Sequence, residues 1–311
     1  MSAPNGRHVT RRPDLFIVGA GTAGTTALYE YLLGHPQVYM SPIKEPDYFC
    51  PDVVPDSDFS YGTKLDKYLA LFTPTGRHRR VGEASTSYLR SSQAPALIRE
   101  FEPEARIVIM LRNPIDRMHS MHSQRVALGL EPIGDLEAAL DSEAAGFPYL
   151  ERARVADHVS RWLDTFGTDR VHVIIFDDFA ADTEAVFRKV LEFLEVDPNL
   201  GPRSFEPRNT SYRQRAAART LFTSRAAQWA AHGVLPRLIG DNATQRLSRS
   251  VRHSRICRRP NRVAPMRAGL RRRLAHELSA DDGRLSTLLQ RDLRALWFGR
   301  PALGAKSARE E

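Results

Sequence analysis

The sequence predicts an α/β fold, with a mainly parallel central sheet and helices on both faces. Three observations carry this. Short strand-like runs stand at Leu15–Val18, Gln37–Met40, Val81–Ala84, Ile107–Leu111 and Val171–Phe176. Helical stretches alternate with them, the pattern of repeated βα units. The runs at Leu15–Val18 and Ile107–Leu111 are apolar at every position, as strands covered on both faces require.

In chain order, residues 1–13 read as a flexible tail. Leu15–Val18 is the first strand, and a glycine-rich turn leads to a helix at Thr25–Leu33. Gln37–Met40 is a second strand, followed by a loop over Ser41–Tyr61 and a short helix at Lys64–Leu71. Val81–Ala84 is a short strand, Ala94–Phe101 a helix, and Ile107–Leu111 a buried strand. Asn113-Pro114 then starts a helix, with Asn as N-cap and Pro at the first position. Asp135–Ala144 and Tyr149–Phe166 follow as helices, Val171–Phe176 as a strand, and Thr183–Leu194 as an amphipathic helix. Leu270–Leu278 and Leu285–Trp297 close the chain as amphipathic helices before a tail at 301–311. The reading is one domain over 14–300, with an arginine-rich variable region at 203–265.

A chain of 311 residues buries a full core. The N-terminal stretch lacks a signal-peptide pattern, and no apolar run approaches a membrane span. Two cysteines, Cys50 and Cys257, are too few for a disulfide framework or a zinc site. His119 and His122 suit a surface helix better than a metal pair. The expectation is a cytoplasmic, metal-independent protein. Charge is uneven: Arg203–Arg273 holds eighteen arginines against Glu206 and Asp241, while the whole chain carries +8. That stretch is either an electropositive cover over an anionic ligand or a solvated, arginine-biased surface. Interleaved aromatics are few, which argues against nucleic acid.

The segment LFIVGAGTAGTTALYEYLL, Leu15–Leu33, is built to hold phosphate. Gly19, Gly21 and Gly24 let the backbone turn tightly and approach a ligand. The helix from Thr25 points its positive end at the turn. Gly19 and Gly24 have nucleotide P-loop spacing, but Thr25 stands where that motif needs lysine, so ATP or GTP hydrolysis is disfavoured. Gly19, Gly21 and Gly24 also complete the dinucleotide pattern G-x-G-x-x-G. Its ribose-binding acid falls at Glu45, in a proline-flanked loop instead of a strand end. A NAD(P)-binding oxidoreductase therefore stays as one alternative.

The stretch from Gly19 to Phe49, with His35-Pro36 and Lys44-Glu45-Pro46-Asp47-Tyr48-Phe49, resembles bacterial sulfotransferases that use 3′-phosphoadenosine 5′-phosphosulfate (PAPS). It is similar also to the glycosaminoglycan sulfotransferases. RIVIMLRNPIDRMHS, Arg106–Ser120, resembles their 3′-phosphate site: a strand ending in arginine, then serine eight residues later. With GEASTSYL, Gly82–Leu89, the resemblance covers about 14–200 and implies a P-loop-like three-layer fold.

It also implies site residues. Thr22, Ala23, Gly24, Thr25 and Thr26 bind the 5′-phosphosulfate, Arg112 and Ser120 the 3′-phosphate, and Glu45 acts as general base. The family usually carries Lys or Arg where this chain has Thr22; Lys44 is the candidate substitute. Glu83 and Asp47 compete for the base role. Structural alternatives are an Arg112–Asp116 ion pair, an ordinary helix serine at Ser120 and a solvated Lys44. The implied function is sulfuryl transfer from PAPS, leaving adenosine 3′,5′-bisphosphate (PAP), to a hydroxyl or amine of a carbohydrate or small natural product. The missing cation keeps open a catalytically idle PAP-binding homologue.

Overall fold

Leu15–Gly19 (β1) is the middle strand of a five-stranded, all-parallel sheet, and every one of its residues is buried. With Val38–Met40 (β2), Arg80–Ala84 (β3), Arg106–Leu111 (β4) and Val171–Ile175 (β5), the order is β2-β3-β1-β4-β5. The computed structural model describes residues 10–59, 61–74, 78–142, 146–202, 205, 212–214, 258–260 and 266–299. Ile17 pairs with Ala84 on one side, and Gly19 with Ile109 on the other. The consecutive apolar runs are what permit this: each strand is covered on both faces by helices.

The helices are Thr25–Leu33 (α1), Leu65–Leu69 (α2), Ala94–Phe101 (α3), Pro114–Leu128 (α4), Leu136–Asp141 (α5), Tyr149–Ala153 (α6), Ala156–Phe166 (α7), Phe176–Ala181 (α8), Thr183–Phe193 (α9), Ala268–Glu277 (α10), Ser279–Leu288 (α11) and Leu293–Phe298 (α12). Asn113 caps α4 as its sequence predicts: Oδ1 accepts from the Ile115 N–H at 3.0 Å and the Asp116 N–H at 3.3 Å.

Four expectations need correction. The single helix over Tyr149–Phe166 is two, because buried Asp281 accepts from the N–H groups of Val155 and Ala156 at 2.8 and 3.2 Å and caps a new helix start. The helix over Leu285–Trp297 also divides, where Asp292 caps α12 through the Ala295 N–H. α8 follows β5 directly, with no glycine or proline to announce it. Arg11 and Arg12, read as tail, are anchored: Arg11 donates to the His78 carbonyl at 2.6 Å and Arg12 lies over the Phe101 ring.

The chain divides into two compact units. The first, residues 1–118, 148–205 and 266–311, contains the sheet. The second comprises His119–Phe147 and 206–265. It contains α5, the later turns of α4, and an antiparallel ribbon of Tyr212–Gln214 (β6) and Arg258–Pro260 (β7). Most of the arginine-rich stretch lies outside the described residues. Within the arginine-rich 203–265 region, Arg258–Pro260 (β7) is a strand. No helix among the described residues is long and apolar enough to cross a membrane.

Candidate active site

β3, β1 and β4 are neighbours and parallel, so the segments leaving their C-terminal ends emerge side by side. These segments are Ser85-Thr86, the turn Gly19–Gly24, and Arg112. In open parallel sheets this edge is where ligands bind. The order also places β3 between β1 and β2, unlike the dinucleotide fold, where β2 adjoins β1.

In the turn, Thr22 has φ 63° and Gly24 φ 95°. Gly24 is required twice over. Its left-handed backbone strains any side chain, and a Cβ there would stand 3.1 Å from the Phe176 ring and 3.2 Å from Met110 Cε. No side chain caps α1. The Ala27 and Leu28 N–H groups donate to the Gly24 carbonyl at 2.9 and 3.2 Å, so it is the N–H groups of Thr25 and Thr26 that, with the helix dipole, suit an anion. Ala23 and Thr25 are buried beside Gly24, and Thr26 is half-buried. Thr22 is the position where the resemblance expects a loop cation. Its hydroxyl donates to the Arg117 carbonyl at 3.4 Å, and its own carbonyl accepts from Arg112 Nη1 at 3.1 Å.

Arg112 thus ties the end of β4 to the turn. Its guanidinium lies over the Phe176 ring, 4.8 Å from the centroid. Burial pulls its pKa down, against the raising effect of Asp116 and Asp177. Asp116 does not supply the ion pair that would make Arg112 merely structural; its carboxylate pairs with Arg271. Arg117, one turn into α4, is buried, donates to the Arg152 carbonyl, and is pushed down to about 10 by burial and by Arg152. Ser120 lies on α4 eight residues beyond Arg112, in the second unit.

The loop after β2 carries Lys44 and Glu45. Glu45 has φ 60°, and its N–H donates to the Ala84 carbonyl at 2.9 Å, pinning it at the end of β3. One carboxylate oxygen accepts from both the N–H and the hydroxyl of Thr86, each at 2.9 Å; the other pairs with Lys44 Nζ. Thr86 Oγ1 in turn lies 3.7 Å from where a Cβ on Gly21 would stand. Thr86 therefore sits between Glu45 and the turn, bringing the Lys44–Glu45 pair to the same edge.

Of the competing acids, Glu83 is fully buried. Its Oε1 accepts from the Tyr68 and Tyr88 hydroxyls at 2.6 and 2.8 Å, and its Oε2 from Ser85 at 2.6 Å. Burial raises its pKa to about 7, partly offset by those hydrogen bonds. It is enclosed in the core and does not present an oxygen to a ligand. Asp47, with φ 54°, is raised to about 6 by burial and by Glu45. His35 closes α1 as a structural group: Nδ1 accepts from the Gln37 N–H at 3.2 Å, leaving Nε2–H for the Asp197 carbonyl at 3.0 Å. Among the described residues no cluster of His, Cys, Asp and Glu is arranged to hold a metal ion. Sequence reasoning missed Thr86, Phe176, Tyr68 and Tyr88, whose partners come from distant segments.

Residues 12–217 match the sulfotransferase domain family. The chain belongs to that family. This sulfotransferase-family protein is similar to a crystallised sulfotransferase from Alicyclobacillus acidocaldarius. The two are 27% identical with a TM-score of 0.68, covering 92% of this chain and 98% of the other. Rat carbohydrate sulfotransferase 15 is 26% identical over 267 residues, 66% of this chain and 47% of the rat protein. The mouse bifunctional heparan sulfate N-deacetylase/N-sulfotransferase 4 is 28% identical over 199 residues, 60% of this chain and 23% of the mouse protein. The chain spans less than half the length of these curated relatives.

Proposed function

We propose that this protein transfers a sulfuryl group from PAPS to a hydroxyl or amine of a carbohydrate or small natural-product acceptor. The observation that carries the proposal is the Thr86 bridge, which holds the Glu45 carboxylate beside the glycine-rich turn. A base and an anion cradle on adjacent strand ends are what in-line transfer needs. The uncapped N–H groups around Thr22–Thr26 take the 5′-phosphosulfate. Arg112 takes the 3′-phosphate through charge-assisted hydrogen bonds. Glu45 accepts the acceptor's proton as the new bond to sulfur forms and the bond from sulfur to the bridging oxygen breaks. PAP leaves and the proton passes to water. As in phosphoryl transfer, the protein positions groups and stabilises charge. Lys44 supplies the cation that Thr22 lacks.

One observation favours a second reading. Lys44 Nζ is paired with Glu45, and the Thr22 hydroxyl with the Arg117 carbonyl, so the turn receives no cation from either. A catalytically idle PAP-binding homologue has this arrangement too. The two readings separate on PAPS turnover: PAP released from PAPS in excess of the enzyme supports transfer, and tight PAP binding without turnover supports the idle homologue.

A further inference from the structure

We propose that Glu83 is a positioning residue: its buried carboxyl group, acting through Ser85 and Tyr88, fixes the loop that carries Glu45. The inference rests on the assignment of Glu45 as base.

The loop needs such a fastening. Two of its residues that are not glycine, Glu45 and Asp47, hold left-handed backbones with φ 60° and 54°. That geometry is disfavoured for any residue with a Cβ and persists only where the surroundings impose it. Glu45 is held by the Ala84 carbonyl, and Asp47 by a network centred on Glu83. The Asp47 N–H donates to Ser85 Oγ at 3.1 Å, and Ser85 donates on to Glu83 Oε2. The Phe49 N–H donates to the Tyr88 hydroxyl at 3.3 Å, and Tyr88 donates on to Glu83 Oε1. Two loop amides thus reach one carboxyl group through one hydroxyl each. Tyr68 completes the network from α2 and stacks on Tyr48 of the same loop, 4.4 Å between centroids. No salt bridge to Glu83 is found among the described residues, so hydrogen bonds alone hold it.

A carboxyl group buried without a cation is costly to keep. What its hydrogen bonds hold is the loop after Pro46, at Asp47 and Phe49, while Glu45 before it is pinned by the Ala84 carbonyl on the same strand. Glu45 lies between the Ala84 carbonyl, on the strand that carries Glu83, and Asp47, so its carboxylate moves if the network opens.

The test is a double-mutant cycle on PAP release from saturating PAPS with water as acceptor, with PAP affinity measured in parallel by calorimetry. Glu45→Ala is expected to slow release about 100-fold or more, the usual worth of a general base. Glu83→Ala is expected to slow it by at least about tenfold, since a shift near 1 Å costs up to about 100-fold. PAP affinity should stay within about twofold, and the combined variant should be no slower than Glu45→Ala alone. Glu83→Gln keeps acceptors for both tyrosines and a donor for Ser85, and should retain most activity. If Glu83→Ala does not fold, Tyr88→Phe combined with Ser85→Ala cuts the same two links and replaces it in the cycle. Multiplied losses in the combined variant, or PAP affinity lost in step with rate, overturn the positioning role while leaving Glu45 as base. Full activity in Glu45→Ala overturns the base assignment and the inference with it.

Discussion

Arg112 Nη1 donates to the Thr22 carbonyl at 3.1 Å, joining two motifs ninety residues apart in sequence. The arginine therefore does two things. It holds the turn against the end of β4, and it directs a guanidinium backed by Phe176 towards the edge where the turn opens. Under the proposed function, binding of a 3′-phosphate there and shaping of the 5′ cradle would be linked through this one side chain.

Arg112→Ala should weaken PAP by about 1.5–3 kcal/mol, the usual worth of a charged hydrogen bond. The loss should be much smaller for adenosine 5′-phosphosulfate, which lacks the 3′-phosphate. Arg112→Lys should fall between, because an ammonium cannot reproduce the planar fork. Calorimetric titration of both ligands checks this, and equal losses for both would make Arg112 purely a fastening of the turn.

The missing loop cation gives a paired test. If Lys44 supplies it, Lys44→Ala abolishes turnover with little loss of PAP affinity, and Thr22→Lys is neutral or harmful. If the position is simply degraded, Thr22→Lys raises PAP release from PAPS tenfold or more, within the roughly 100- to 1000-fold worth of one preorganised donor. We expect the first outcome, because the Lys44–Glu45 pair stands one residue, Thr86, away from the turn.

Glu83 makes stability depend on pH. Its folded pKa is raised to about 7 from an ordinary 4.5, so between those values the folded chain holds a proton that the unfolded chain releases. Stability is therefore highest below the unfolded value and declines as pH rises through about 7, by on the order of 2–3 kcal/mol. Asp47 and Asp282, raised to about 6 and about 7, act in the same direction. Urea midpoints at pH 5 and pH 8 should show a smaller decline in Glu83→Gln than in the natural protein. Equal declines would mean that Glu83 does not titrate in this range.

Asp281 should matter for stability alone. It accepts from two N–H groups at the start of α7, so Asp281→Ala leaves both donors unsatisfied and should cost about 2–3 kcal/mol. Asp281→Asn, which keeps an acceptor, should recover part of this. Denaturant unfolding measures the cost, and PAP affinity should not change.

Strands were legible in this sequence because a parallel, doubly covered sheet demands consecutive apolar residues, and Leu15–Val18 and Ile107–Leu111 supply them. The cap at Asn113 was legible because it is local. The break before α7 was not, because the residue that makes it, Asp281, is 126 positions from Val155. The glycine-rich turn could be picked out from spacing, and Arg112 and the Lys44–Glu45 pair from the resemblance of their segments to the sulfotransferases. What joins them could not: Thr86 stands in GEASTSYL with no sign of its partners, and Glu83 reads as a rival base, not as the centre of a buried network. Its burial under Tyr68 and Tyr88 is a property of packing, where three segments meet.

Titration of the purified protein with PAP, beside NADH and ATP, tests the sulfotransferase reading most directly. PAP should bind with measurable heat and, at 100 times its dissociation constant, stabilise the fold by about 2.7 kcal/mol, with no comparable effect of the other two. A thermal shift with NADH and none with PAP would contradict the reading.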